Sequence, residues 1–149
     1  MYYFYIDYLL NLIDTPGHVD FSYQVNRSLR AWQGALLLVD ATSSIQAQTL
    51  SNLEKAKQAN LKVMPVINKI DLETANVSKV IEDLVLQLDF DEDEILAISA
   101  KTGMNCDKLL EAIINRFDPP SGESDKPTKA FLFNADYLED RGVKWMVGE

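Results

Sequence analysis

Apolar residues fall along the chain in short blocks whose length and period fix one element each. Leu9-Leu10-Asn11-Leu12-Ile13 is a nearly continuous run that stops on Asp14 and turns at Pro16-Gly17. Runs of this kind suit a strand buried on both faces. Tyr and Phe residues precede it and also favour strands, so one long strand is predicted over residues 3–13. Asp20 or Ser22 then caps a helix through about Trp32. Ala35-Leu36-Leu37-Leu38-Val39-Asp40 reads as a buried parallel strand, and Gln46 to Ala59 as the next helix. Val63-Met64-Pro65-Val66-Ile67 is a further strand; Pro65 counts against a regular interior strand, so a bulge or an unpaired N–H is expected there. Val77, Val80, Ile81, Leu84, Val85 and Leu88 recur at helical spacing and make one apolar face. Ile95–Ile98 is a short strand, and a helix from about Asn105 to Phe117 turns Leu109, Leu110, Ile113, Ile114 and Phe117 inward. This alternation predicts an α/β fold with a parallel sheet and helices on both faces.

The pattern changes after residue 118. Residues 119–127 hold Pro119-Pro120-Ser121-Gly122 and Pro127, the composition of a linker. Beyond it Ala130-Phe131-Leu132-Phe133 reads as a strand and Arg141-Gly142-Val143 as a turn into another. Three parts are therefore expected: an α/β domain over 1–118, the linker, and the start of a second unit over 128–149.

Composition narrows the function classes. The content is 47% hydrophobic and 25% charged, with a net charge of −9, and Lys and Arg gather into no stripe. Autonomous nucleic-acid binding needs clustered cations and is disfavoured. Cys106 is the single cysteine, which rules out an internal disulfide and suits a reducing compartment. The acidic run Asp89–Glu94 lacks turn glycines and reads as a solvated loop rather than a cation cage. No run approaches the ~20 apolar residues of a membrane span. Four of the six tyrosines fall within Met1–Tyr8, with no basic start, cleavage site or Arg/Ser-rich leader. That segment is either the upstream part of the predicted strand or sequence foreign to it.

Three tracts at strand ends carry the chemistry: Asp14-Thr15-Pro16-Gly17-His18-Val19-Asp20-Phe21, Asn68-Lys69-Ile70-Asp71 and Ser99-Ala100-Lys101. Each alone has a bland reading, as a Pro-Gly turn, a capping Asp or a small-residue loop. Their order and spacing suit one sheet presenting three loops to one ligand. With Ser22–Leu29 and Ile45-Gln46-Ala47-Gln48-Thr49, these tracts resemble a translation-factor GTPase. The similarity is greatest to the LepA type, also called elongation factor four, whose eukaryotic form is mitochondrial; it spans roughly Leu10 to Val143.

The resemblance implies a P-loop-GTPase-like sheet followed by the opening of a β-barrel, with GTP/GDP and Mg²⁺ as cofactors and the ribosome as partner. It implies Asp14 at Mg²⁺, through a water, and Gly17 N–H at the γ-phosphate, which hydrolysis releases. His18, the only histidine, occupies the position that orients the attacking water in this family, and is the catalytic candidate. Asp71 would accept from the guanine N1–H and amine, a pattern adenine does not offer. Asn68 would bond the base and tie neighbouring loops, and the Lys69 stem would lie against the ring. Ser99, Ala100 and Lys101 would close the other side, with Ala100 N–H at guanine O6. The implied compartment is the mitochondrion for a eukaryotic source and the cytoplasm for a bacterial one.

One part of the pattern has no counterpart. None of the six glycines begins a G-x-x-x-x-G-K-[S/T] phosphate cradle, and only thirteen residues precede Asp14. In this fold the strand before that cradle lies between the strands ending at Asp14 and Asp40. Without it those two strands pair directly, the Tyr-rich segment fills the gap, or the chain folds poorly. Retained guanine recognition with little or no turnover is the expectation. A non-catalytic guanine-binding or protein-interaction module, or a product with no independent function, are the alternatives.

Overall fold

The computed structural model describes residues 2–14, 32–43, 45–120, 131–138 and 142–148. The predicted helix from Asp20 to Trp32 lies outside them, except for Trp32, which is not helical. Three sheets are present among the described residues: an N-terminal hairpin, a three-stranded parallel sheet and a C-terminal hairpin.

The first departs from the single strand expected over residues 3–13. Strand β1 (Tyr2–Tyr5) pairs antiparallel with β2 (Tyr8–Asn11) across a two-residue loop, Ile6-Asp7. Ile6 sits at φ 55, a left-handed conformation that costs a β-branched side chain steric strain. Strand backbone must find partners, and β2 finds them in β1, a few residues away, where loop closure costs least. The apolar run is accordingly not a buried sheet strand: Leu9, Leu12 and Ile13 are exposed.

The parallel sheet has the order β3 (Gly34–Asp40), β4 (Lys62–Asn68), β5 (Leu96–Ala97). Helix α1 (Ala47–Gln58) connects the first pair; α2 (Val77–Leu88) and a 3₁₀ turn (Glu92–Glu94) connect the second. Helix α3 (Cys106–Arg116) follows β5. On one face Leu37, Val39 and Ile67 form a core with Leu53 of α1, with Val80, Leu84 and Leu88 of α2, and with Phe90. Met64 and Val66, which point the other way, are buried as well, whereas Leu38 on that side is 58% exposed. At the start of β3 a side chain on Gly34 would collide with the Phe117 ring, so glycine lets the end of α3 close on the sheet. Apart from buried Phe90, residues 89–94 are exposed.

Pro65 is accommodated without a bulge: the β3–β4 register runs unbroken from Gly34↔Lys62 to Asp40↔Asn68. Ile67 O accepts from Ile98 N at 2.8 Å and Asn68 O from Ala41 N at 2.9 Å, so odd positions of β4 face β5 and even ones face β3. The proline nitrogen therefore faces β5, whose ladder begins only at Val66↔Leu96. One step back, an N–H at 65 would reach the Glu94 carbonyl. That carbonyl accepts instead from Arg116 Nη1 at 2.8 Å, with Asp93 O taken by Nη2 at 3.1 Å. The guanidinium of α3 substitutes for the missing donor.

The C-terminal hairpin, β6 (Phe131–Leu138) with β7 (Gly142–Gly148), is antiparallel with a register shift between Leu132 and Asn134. The first strand runs five residues beyond the expected end at Phe133, and Gly142 and Val143, expected in a turn, already belong to the second.

Candidate functional site

Ligands of open α/β sheets bind beyond the carboxyl ends of the strands. At that rim the loops after β4 and β5 are tied by side chains. Asn68 Oδ1 accepts from its neighbour Lys69 N at 2.8 Å and, across the rim, from Ala100 N at 3.0 Å. Both partners are N–H donors, which fixes the amide with its oxygen towards them. Ser99 is wholly buried; its hydroxyl donates to Asp71 Oδ1 at 2.6 Å and accepts from Thr102 N at 3.2 Å. Each loop thus holds one polar group of the other.

The local sequence explains the loop shapes. Lys69 takes φ 68, turning the chain sharply out of β4 so that Ile70 N can reach Ile98 O at 3.3 Å. After β5, Gly103 at φ 80 reverses the chain, Gly103 N bonds Ser99 O at 2.9 Å, and Met104 O returns to Ser99 N at 3.0 Å. Asn105 leaves its helix-capping role open and donates to Ala97 O at 2.8 Å, pinning the start of α3 to β5.

Electrostatics follow from these bonds. The Ser99 hydroxyl holds the Asp71 carboxyl below its ordinary pKa, with a smaller contribution from Lys101. Asp40, at the end of β3, is held at about 2, first by Lys69 and then by the Thr42 hydroxyl and N–H. Thr42 N and Oγ1 lie 2.8 and 2.7 Å from Asp40 Oδ1, and Lys69 Nζ pairs with Oδ2.

Of the predicted site residues, Asn68, Lys69, Asp71, Ser99 and Ala100 come together, with exposed Lys101 beside Asp71. Asp14 is exposed and follows β2, so it leaves the N-terminal hairpin and not the parallel sheet. Gly17 and His18 lie outside the described residues. Sequence reasoning passed over Asp40, Thr42 and Gly103. The signal was present for the first: β3 ends its apolar run on Asp40 as the earlier run ends on Asp14.

Strands in parallel order with their exit loops cross-tied at one rim place this chain among the open α/β sheets, whose ligands bind beyond the strand ends. Residues 1–119 match the family described as "Elongation factor Tu GTP binding domain", and the chain belongs to that family. It is 52% identical over 138 residues to Elongation factor 4 of Christiangramia forsetii, covering 93% of this chain and 23% of that protein. Over 137 residues it is 53% identical to the mitochondrial translation factor GUF1 of Laccaria bicolor, covering 92% and 22%. The chain thus spans less than a quarter of these relatives' length. Among solved structures, elongation factor SelB of Methanococcus maripaludis, crystallised with the GTP analogue GppNHp, superposes with a TM-score of 0.69 at 25% identity, covering 83% of this chain and 29% of that one. The LepA-type resemblance and the α/β GTPase-like fold stand on these matches.

Proposed function

We propose that this chain is the guanine-recognising portion of a ribosome-associated translational GTPase of the elongation factor 4 type. The observation that carries the reading is the double tie at the rim, Asn68 to Ala100 and Ser99 to Asp71. It presents the Asp71 carboxylate, the Ala100 loop and the Lys69 stem on adjoining loops. Asp71 keeps lone pairs beyond the one serving Ser99, enough for the guanine N1–H and amine. Adenine would leave them unmatched, and a site built for hydrogen bonds rejects the ligand that lacks them.

The parent activity is hydrolysis of GTP to GDP and phosphate during elongation. In it His18 orients the attacking water and Gly17 N–H meets the γ-phosphate. Mg²⁺ would neutralise charge on the phosphates. Asp14 offers one carboxylate, and no cluster of three His, Cys, Asp or Glu forms among the described residues. Asp14 would reach the ion through a water, and phosphate and water oxygens would be its direct ligands. Without a phosphate cradle in these 149 residues, base recognition remains while phosphate binding is weak. The segment over 128–149 is the opening of the next, β-barrel domain, and the compartment is mitochondrial or cytoplasmic according to source.

The test is titration of the purified chain with a fluorescent guanine nucleotide and Mg²⁺. Binding weaker than micromolar is expected, and Asp71→Asn should turn preference from guanine to xanthine. Micromolar or tighter binding would contradict the role given to the cradle, and an unchanged base preference would remove Asp71 from the site.

A further inference from the structure

We propose that Asp40 is a positioning residue for base binding, acting by holding the Lys69 side chain across the rim. The proposal rests on the guanine reading above and adds to it a residue at the end of a third strand. Lys69 is restrained at both ends. Its N–H is bound to Asn68 Oδ1 at 2.8 Å, with the backbone in the left-handed region, and its ammonium pairs with Asp40. Asp40 is itself set: the Thr42 N–H and hydroxyl fix Oδ1 and leave Oδ2 to the lysine. The lysine methylenes therefore bridge the ends of β4 and β3, adjacent strands in register at Asp40↔Asn68.

This matters because a lysine stem is a poor wall unless something holds it. A free one gives up its rotamers when a flat ring stacks on it, and that entropy is subtracted from affinity. Here the ordering is done before the ligand arrives. With the two side chains 54% and 28% exposed, the effect is that of a solvent-screened ion pair, about a threefold change in affinity. Asp40 acts on the wall and not on the hydrogen-bonding edge of the base, so its influence is independent of base identity.

The experiment follows amide shifts of the ¹⁵N-labelled chain during titration with GDP and Mg²⁺ to millimolar concentration. Asp40→Asn keeps an acceptor for Thr42 but turns an amide towards Lys69; its Kd for GDP should rise about threefold. In an Asp71→Asn background the Kd for XDP should rise by the same factor. In a Lys69→Met background, Asp40→Asn should cost nothing further. Thr42→Val removes one of the two restraints on Oδ1, should give a smaller loss, and decides the matter if Asp40→Asn fails to fold. Unchanged GDP binding by the folded Asp40→Asn variant overturns the positioning role and leaves the guanine reading intact. Persistence of the loss in Lys69→Met overturns it too, by making Asp40 merely structural. A wild-type chain that does not bind GDP overturns the guanine reading and this proposal together.

Discussion

Asn68→Ala is the sharpest perturbation of the rim, because a single oxygen there receives two backbone donors, Lys69 N at 2.8 Å and Ala100 N at 3.0 Å. Each such bond contributes roughly 0.5–1.5 kcal/mol net, and a buried donor left unpaired costs more. Lys69 and Ala100 are exposed, so water can replace the lost acceptor and the lower half of that range applies. The pair together then stabilises the loops by about 1–2 kcal/mol, or about 5- to 30-fold in the local opening equilibrium. Amide hydrogen exchange reads this directly. The Ala100 amide should lose protection by that factor, while Ile98 N, bonded within the sheet to Ile67 O, loses only what the fall in global stability dictates. Asn68→Asp supplies the control, since a carboxylate accepts both donors and should keep Ala100 protected. Equal exchange at Ala100 in wild type and Asn68→Ala, at matched urea midpoints, would refute the cross-tie.

Three further outcomes are expected. Gly34→Ala puts a methyl group into the Phe117 ring and should lower unfolding free energy by about 1–3 kcal/mol in urea, with relief when Phe117 is also shortened to Leu. Arg116→Ala leaves the Glu94 and Asp93 carbonyls to water and should destabilise the chain by about 1 kcal/mol; Pro65→Val, which restores an N–H facing Glu94, should reduce that loss in the double variant. Asp40 and Asp71 both titrate below their ordinary value of 3.8 in the folded chain, Asp40 at about 2. Their stabilisation is therefore complete above 3.8 and disappears as pH falls through the folded values, so the urea midpoint of wild type should converge on that of Asp40→Asn between those limits.

Periodicity made the central sheet and its helices legible. The apolar blocks ending at Asp40, Ile67 and Ile98 and the stripe from Val77 to Leu88 are patterns that only one packing buries. The rim loops were legible too, because Asn68, Asp71 and Ser99 combine chemistry with a fixed place after a strand. The N-terminal run misled for a physical reason: composition states that Leu9–Ile13 can be strand, but not which backbone it pairs with. Pairing depends on what lies alongside, and a tyrosine-rich segment two residues away offered the nearer partner. The place of Asp40 at the end of an apolar run was legible, but its pairing with a lysine 29 positions later is one that no local pattern encodes. Pro65 raised a correct alarm about a missing donor and a wrong remedy, since the repair comes from Arg116 on another element.

That proline has a consequence for fidelity of assembly. Two-residue ladders such as β4–β5 are prone to sliding, and a shift by one position would exchange which side chains meet the core. A ring nitrogen at 65 offers nothing for a slipped third strand to grip, and the Arg116 clamp already occupies the carbonyl it would need. The zipper therefore has one starting tooth, and the serine that closes it arrives opposite its aspartate each time the chain folds.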